Sequence, residues 1–270
     1  MTELRARSGR YPLRLAVCAY LLVLLVLPLI LIGKRTFADG LAPVWDALTA
    51  TDAAHAFKVT VIVAGVAVAA NTVFGVGTAI LLVRHRFYGR RLLDAILDLP
   101  VAVSPVIVGL ALTLVYGRNE PIGGWLYDNG ITVIFSLPGM ILATIFVGLP
   151  LVVRAVAPVL AEVGNEQEQA AYTLGAGALA TFRRITLPSI RGALAYGVVL
   201  ALARSLGEYG AVAVVSGRTV GETQTITLFV DQSFENFDQQ SAYSAAFALA
   251  LVAVICLLIA RRLRPAGRTS

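Results

Sequence analysis

Charged side chains are scarce in this chain. Only 14% of its 270 residues are Asp, Glu, Lys or Arg, whereas 58% are hydrophobic. The mean hydropathy of +0.80 lies far outside the range of soluble domains, in which about 25% of the residues are charged. This composition excludes an ordinary soluble fold and indicates an integral membrane protein.

Residues that build catalytic and metal centres are equally rare. The two cysteines, Cys18 and Cys256, fall inside apolar stretches and are interpreted as small core residues rather than as a disulfide or a metal pair. His55 and His85 have no second ligand near them, so we predict no metal site. The sequence has no P-loop pattern G-x-x-x-x-G-K-[ST] and no Ser/His/Asp constellation. We therefore predict that the chain is not an enzyme and holds no cofactor of its own.

Long uncharged runs are what the sequence does contain. A helix needs about 20 apolar residues to cross the ~30 Å hydrocarbon core of a bilayer. Five uncharged runs have about this length, at residues 15–33, 59–83, 99–117, 131–153 and 241–260. A sixth run, 192–217, is interrupted by Arg204 and Glu208. We predict an all-α integral membrane protein with six transmembrane helices, the first of which is a retained helix rather than a signal peptide.

The basic residues predict how these helices are oriented. Sixteen of the 22 Lys and Arg residues lie before the first run, between the second and third, within residues 154–191, or after the last run. The loops on the other side hold five basic residues, together with nine acidic ones. Positive charge is retained on the cytoplasmic side of a membrane. Both termini are therefore predicted to be cytoplasmic, and the basic composition indicates topology rather than a nucleic-acid partner.

The longest predicted cytoplasmic loop, residues 154–191, contains the polar stretch EQEQAAYTLGAGALATFRRITLP at 166–188. Asn165 followed by Glu168 resembles a capping box and predicts the start of a short helix. Gly175 is predicted to end this helix in the left-handed conformation. A second helical piece over residues 178–185 is predicted to end at Pro188.

One face of the short helix would carry Ala170, Ala171 and Leu174. Small side chains on such a face would let a partner protein approach closely. An amphipathic helix resting on lipid headgroups is the alternative, although such helices usually carry bulky aromatic residues and lysines, which are scarce here.

This segment resembles the EAA loop of ABC importer permeases, E-A-A-x3-G-x9-I-x-L-P. The matching positions, all at the family's spacing, are Gln169, Ala170, Ala171, Gly175, Ile185, Leu187 and Pro188. Gln169 departs from the family's glutamate, and Glu168 places a carboxylate one position earlier, on a different helix face. In that family the loop forms the coupling helix, which docks into a cleft of the ATP-binding subunit. The resemblance implies the same coupling role for these residues, with Glu168 and Leu174.

The resemblance extends over roughly residues 55–260, the core of a type I permease. Within the ABC importer permeases, the chain most resembles the W permease subunit of sulfate/thiosulfate importers. The stretches that carry this narrower resemblance are residues 116–119, 134–136, 142–147, 203–212, 215–217 and 221–223. Molybdate permeases share much of the Ala-Arg-x-x-Gly-Glu part of the fourth stretch. A molybdate or tungstate permease that forms a homodimer therefore stays open as an alternative, as does, more remotely, an ATP-independent anion channel or carrier.

The resemblance also implies how the chain is divided and what it assembles with. Residues 1–54 would hold a cytoplasmic tail, the first helix and an outer loop, residues 55–262 the importer domain with the coupling loop 154–191, and residues 263–270 a basic tail. The implied partners in the bacterial plasma membrane are a second, related permease in a heterodimer, two copies of an ABC ATPase and an extracytoplasmic sulfate-binding protein. ATP and Mg²⁺ would be bound by the ATPase and not by this chain.

Arg204 and Glu208 are the ionisable residues of the sixth run. Their spacing of four places them on one helix face. Charges within a membrane usually face an aqueous cavity or a partner. Arg204 would attract the dianion or form part of a gate, with Glu208 moderating its field. Alternatively the two form a buried ion pair, or links to another helix, that hold the bundle in register.

Overall fold

The computed structural model describes residues 10–263, and the surroundings of side chains from residue 14 onward. Throughout this part of the chain the regular structure is helical. The predicted cytoplasmic arginines at positions 5, 7, 264 and 268 lie outside the described residues. Their contribution to topology stays a prediction.

Twelve helices are defined in the described part of the chain. In chain order they are α1 (Arg14–Thr36, preceded by helical residues 10–13), α2 (Ala42–Thr49), α3 (Thr51–Arg84), α4 (Arg90–Ala102), α5 (Pro105–Tyr116), α6 (Pro121–Asp128), α7 (Leu137–Val163), α8 (Glu166–Thr173), α9 (Ala178–Leu206), α10 (Gly210–Val215), α11 (Ile226–Glu235) and α12 (Gln239–Leu263). Five of them, α1, α3, α7, α9 and α12, are long and apolar enough to cross a membrane.

The predicted third span, residues 99–117, is not one helix. α4 and α5 meet at an angle of 113°, and Val103 and Ser104 between them are extended. Pro105 causes the break, because its ring disfavours a helical conformation of the preceding residue and it has no N–H for the ladder. If the bent pair counts as one span, the described residues have six spans, as predicted.

The predicted sixth span, residues 192–217, is also divided. α9 ends at Leu206, and Gly207, Glu208 and Tyr209 form a turn before the short helix α10. The prediction that Arg204 and Glu208 share one continuous helix was therefore wrong. Glu208 lies beyond the end of α9, where the chain changes direction.

The core of the bundle is built by α3, α7 and α9, with α7 in the middle. Gly75 of α3 and Gly197 of α9 both lie against Val152 of α7, and a Cβ atom at Gly75 would be 2.8 Å from that of Val152. Helices in lipid associate by close van der Waals contact, which small residues permit. The glycines therefore set how closely α3 and α9 approach α7.

Two further contacts hold helices around this core. Arg154 of α7 forms ion pairs with Asp94 and Asp98 of α4, at 2.8 and 2.7 Å. α1 is peripheral, and its last residue, Thr36, donates a hydrogen bond of 3.1 Å to the carbonyl oxygen of Tyr243 near the start of α12. Because α1 ends where α12 begins, the start of α1 and the end of α12 lie at the opposite end of the bundle.

Candidate functional site

The predicted short helix is present as α8, which lies between the ends of two long helices. α7 continues to Val163 and α9 begins at Ala178, so residues 164–177 connect them. Gly175 has a φ of +84°. The N–H of Ala176 donates to the carbonyl oxygen of Ala171 at 3.0 Å, and that of Gly175 donates to Tyr172 at 3.0 Å. These two bonds form a Schellman motif, which confirms the predicted left-handed stop at Gly175.

The outer face of this connection carries apolar side chains outside the membrane-spanning helices. Leu174 is 87% exposed and Tyr172 is also exposed, and Leu179, in the first turn of α9, is exposed beside this connection. Gln169 and Ala170 are exposed as well, whereas Ala171 is half-buried. The structure therefore presents Ala170 and Leu174 outward and turns Ala171 partly toward the bundle.

The predicted capping box does not form. α8 begins after Asn165 as expected, but the Asn165 side chain makes no capping hydrogen bond. Glu168 instead points toward the bundle and forms an ion pair of 2.9 Å with Arg84, the last residue of α3. The hydroxyl of Thr186 also donates a hydrogen bond of 2.7 Å to Glu168. These contacts outside α8 engage the Glu168 carboxylate, so it does not close the box.

Pro188 does not end the second helical piece, contrary to the prediction. The five residues Phe182–Thr186 form a widened turn in which the N–H of Leu187 bonds to the carbonyl oxygen of Phe182, five residues earlier. A wider turn accommodates a residue that has no N–H and whose ring would clash with the carbonyl four residues earlier. The helix therefore continues through Pro188 to Leu206. Ile185 and Leu187 are half-buried and Pro188 is exposed.

Arg204 and Glu208 do form an ion pair. The Arg204 Nη1 atom lies 2.6 Å from Oε2 of Glu208. The side chain of Glu208 is only 2% exposed, whereas that of Arg204 is 38% exposed. The other carboxylate oxygen accepts a hydrogen bond of 3.0 Å from the N–H of Ala211, and the Glu208 carbonyl accepts one of 2.8 Å from Thr227. Glu208 thus ties the end of α9 to α10 and α11, while part of the Arg204 guanidinium stays accessible.

A second polar cluster follows directly. The hydroxyl of Tyr209 donates a hydrogen bond of 2.8 Å to Asp231 of α11. Arg218 lies 3.4 Å from the same carboxylate oxygen. This cluster connects the turn after α9, the loop after α10 and α11. It fixes α11 across the end of the bundle that lies opposite α8.

Sequence reasoning did not find Arg84, Thr186 or Asp231 as members of these clusters. Arg84 and Glu168 are 84 residues apart, and no local pattern relates them. The sequence signal for Arg84 was a single charge at the end of an apolar run, which also fits an ordinary interfacial arginine. Within residues 10–263, no group of three or more His, Cys, Asp or Glu is arranged to hold a metal ion.

Comparison with known proteins gives a family and close relatives. The family model "Binding-protein-dependent transport system inner membrane component" matches residues 71–268. The chain is 48% identical over 240 residues to the sulfate transport system permease protein CysW of Synechocystis sp., covering 89% of this chain and 87% of the relative. It is 39% identical over 240 residues to the sulfate transport system permease protein CysT of Salmonella typhimurium, covering 89% and 85%.

Two crystal structures of bacterial ABC transporters have the same fold. A transporter involved in the import of the acidic polysaccharide alginate superposes with a TM-score of 0.78 at 18% identity, covering 99% of both chains. The alginate transporter in complex with an alginate pentasaccharide-bound periplasmic protein gives a TM-score of 0.76, also at 18% identity, covering 99% of this chain and 96% of the other. At this identity the likeness shows the fold alone.

Proposed function

This chain belongs to the family of binding-protein-dependent transport system inner membrane components, and we propose that it is the permease subunit of an ATP-driven sulfate importer. The similarity to a CysW sulfate permease along most of both chains carries the assignment of substrate. Thiosulfate, a dianion of similar shape, is a second expected substrate. The chain is a multi-pass inner membrane protein, and its function is to form the pathway rather than to perform catalysis.

The proposed assembly has four kinds of subunit. The chain resembles both CysW and CysT, which supports a heterodimer of this subunit with a second, related permease. The complex of the alginate transporter with a periplasmic protein supports docking of an extracytoplasmic sulfate-binding protein on the outer face. Two copies of a separate ATPase chain would bind ATP and Mg²⁺ on the cytoplasmic face, since this chain contains no P-loop.

The proposed contact with the ATPase is the outer face of α8. Exposed apolar side chains outside a membrane-spanning helix indicate an interaction surface, and Leu174 is such a residue. The Schellman turn at Gly175 ends α8 sharply, so a short helix can enter a cleft while the chain turns back into α9. Ile185, Leu187 and Pro188 belong to α9 itself, so a push on α8 reaches the membrane through a continuous helix.

The proposed role of Arg204 is to face the pathway. One guanidinium nitrogen is engaged by Glu208, and an arginine has five N–H donors in all, so others remain for an anion. Glu208 neutralises the pair as a whole, which keeps the attraction for a dianion weak. Weak attraction suits an importer, because the substrate has to leave the pathway again.

Two experiments test the proposed function. The complex is first captured from mild detergent and its subunits are identified by mass spectrometry. We expect a second, non-identical permease and an ATPase; a homodimeric permease would favour molybdate or tungstate. The complex is then reconstituted with loaded binding protein, and uptake of labelled sulfate is measured with and without ATP. Absence of ATP-dependent sulfate uptake, with uptake of molybdate in its place, would refute the assignment.

A further inference from the structure

Arg84, at the end of α3, joins three neighbouring segments. Its guanidinium forms the ion pair with Glu168 of α8 and donates a hydrogen bond of 2.6 Å to the carbonyl oxygen of Gly164, the residue after α7. Thr186 of α9 completes the cluster through its bond to the same carboxylate. The ends of all three core helices therefore meet α8 at one charged contact.

This contact is well shielded from water. The side chains of Arg84 and Glu168 are 12% and 15% exposed, and Thr186 is buried. Glu168 lies in the first turn of α8 and Arg84 in the last turn of α3. Each charge is therefore at the helix end whose dipole favours it. Removing one member of a shielded pair leaves the other charge desolvated and unpaired, which is costly. Moving Arg84 and Glu168 apart would leave both charges in that condition, so their contact is favoured.

α8 has little else that connects it to α3. A cavity of about 330 Å³ lies between them, lined among others by Ile80, Arg84, Glu168 and Tyr172. Among the residues that the structure describes, Glu168 makes the only side-chain hydrogen bonds or ion pairs from α8 to another helix. α8 otherwise packs mainly against the first residues of α9. The Arg84–Glu168 pair thus bridges a gap that apolar packing does not fill.

We propose that Arg84 is a positioning residue that makes α3 move together with α8 when the ATPase pushes on the coupling helix. This inference rests on the proposed function, because it assumes that α8 is the element on which the ATPase acts. α9 follows α8 through the chain itself. α3 is separated from α8 by the whole of α4 to α7, so without Arg84 it would follow only through packing against the other helices. Glu168 acts inward in this scheme, and Gln169, at the position of the family's glutamate, is exposed.

The distance between α3 and α8 tests the proposal directly. Spin labels are attached at Arg86 and Thr173, both exposed, in the complete importer. In the wild-type background we expect the same distance distribution before and after ATP binding. In Arg84→Gln we expect the distribution to shift when ATP is added, because α8 then moves without α3. A shift in the wild-type background, or no shift in Arg84→Gln, would overturn the proposal.

Transport provides the second measurement. Arg84→Gln and Glu168→Gln should each lower the sulfate carried per ATP hydrolysed by at least about fivefold, the lower end of ordinary coupling energies. The double variant should lose no more than the worse single variant, since both changes break one contact. Arg90→Gln and Glu162→Gln, which remove exposed charges nearby, serve as controls and should keep the wild-type ratio. Additive losses would overturn the proposal, as would single variants with a normal ratio. Sulfate uptake by wild-type vesicles tests the proposed function separately.

Discussion

Replacing Gly175 by valine tests whether the shape of the turn after α8 matters for transport. Gly175 has a φ of +84°, and no atom lies within 4 Å of the position that its Cβ would occupy. The substitution therefore causes no clash, and its effect comes from the backbone alone. A β-branched residue strongly disfavours the left-handed region. The Schellman turn would open, and Ala176 and Gly175 would lose their bonds to α8.

The size of the effect follows from the conformational cost. A non-glycine residue pays about 1–2 kcal/mol in the left-handed region. A penalty of about 1–2 kcal/mol on the docking-competent turn lowers its population about 5- to 30-fold. Because α8 must engage its partner again in every cycle, we expect sulfate uptake to fall by a similar factor. The helices of the membrane domain should remain inserted, since none of their core contacts involves Gly175.

The assay is uptake into reconstituted vesicles, measured together with ATP hydrolysis stimulated by loaded binding protein. Gly177 provides a matched control. It has a φ of −73° and equally open surroundings, so Gly177→Val adds the same side chain without the strain. Gly175→Asn is a second control, because asparagine tolerates the left-handed region. Normal uptake and hydrolysis in Gly175→Val, or an equal loss in Gly177→Val, would refute the reasoning.

Three further predictions concern topology, the pathway and the coupling face. Single cysteines at Arg86 and Arg183 should resist an impermeant thiol reagent in intact cells, whereas one at Asp46 should react; labelling of the first two would contradict cytoplasmic termini. Arg204→Ala should lower sulfate uptake while the complex still assembles. Unimpaired uptake would rule out a pathway role. Loss of assembly would instead show that the ion pair with Glu208 stabilises the helix bundle. Gln169→Glu, which restores the family's residue at an exposed position, should be tolerated in the uptake assay. A loss of uptake of more than about twofold, or about 0.4 kcal/mol, would show that the amide itself is needed.

Local sequence patterns predicted much of the coupling segment. The glycine at 175 predicted a left-handed helix end, which the structure confirms at a φ of +84°. Such a feature depends on a few adjacent residues, so it can be read from the chain. The same kind of reasoning failed at Pro188. Whether a proline ends a helix or is absorbed by a wider turn depends on the packing of the helix beyond it, and that is a property of the bundle.

Charged residues also have some properties that the sequence predicts and others that depend on the fold. Their distribution along the chain predicts which loops share a side of the membrane, because that depends only on sequence order. The pairing of Arg204 with Glu208, four residues apart, was among the predicted alternatives, but partners distant in sequence were not predictable. Asn165 and Glu168 fit a local capping box, but Glu168 pairs with Arg84 across 84 residues, since an ion pair shielded from water outweighs a local hydrogen bond that water can replace.

The order of the amino acids was enough to predict an all-helical membrane protein with six spans, the polar segment at 166–188 and the family that this segment resembles. These follow from hydropathy and from short motifs, which require no knowledge of distant contacts. The fold was needed to show that α9 ends after Leu206, inside the predicted sixth span, and that it continues through Pro188. It was also needed to show which charges that are distant in sequence meet. These features depend on how α3, α7 and α9 pack, because that packing brings together residues that are far apart in the chain.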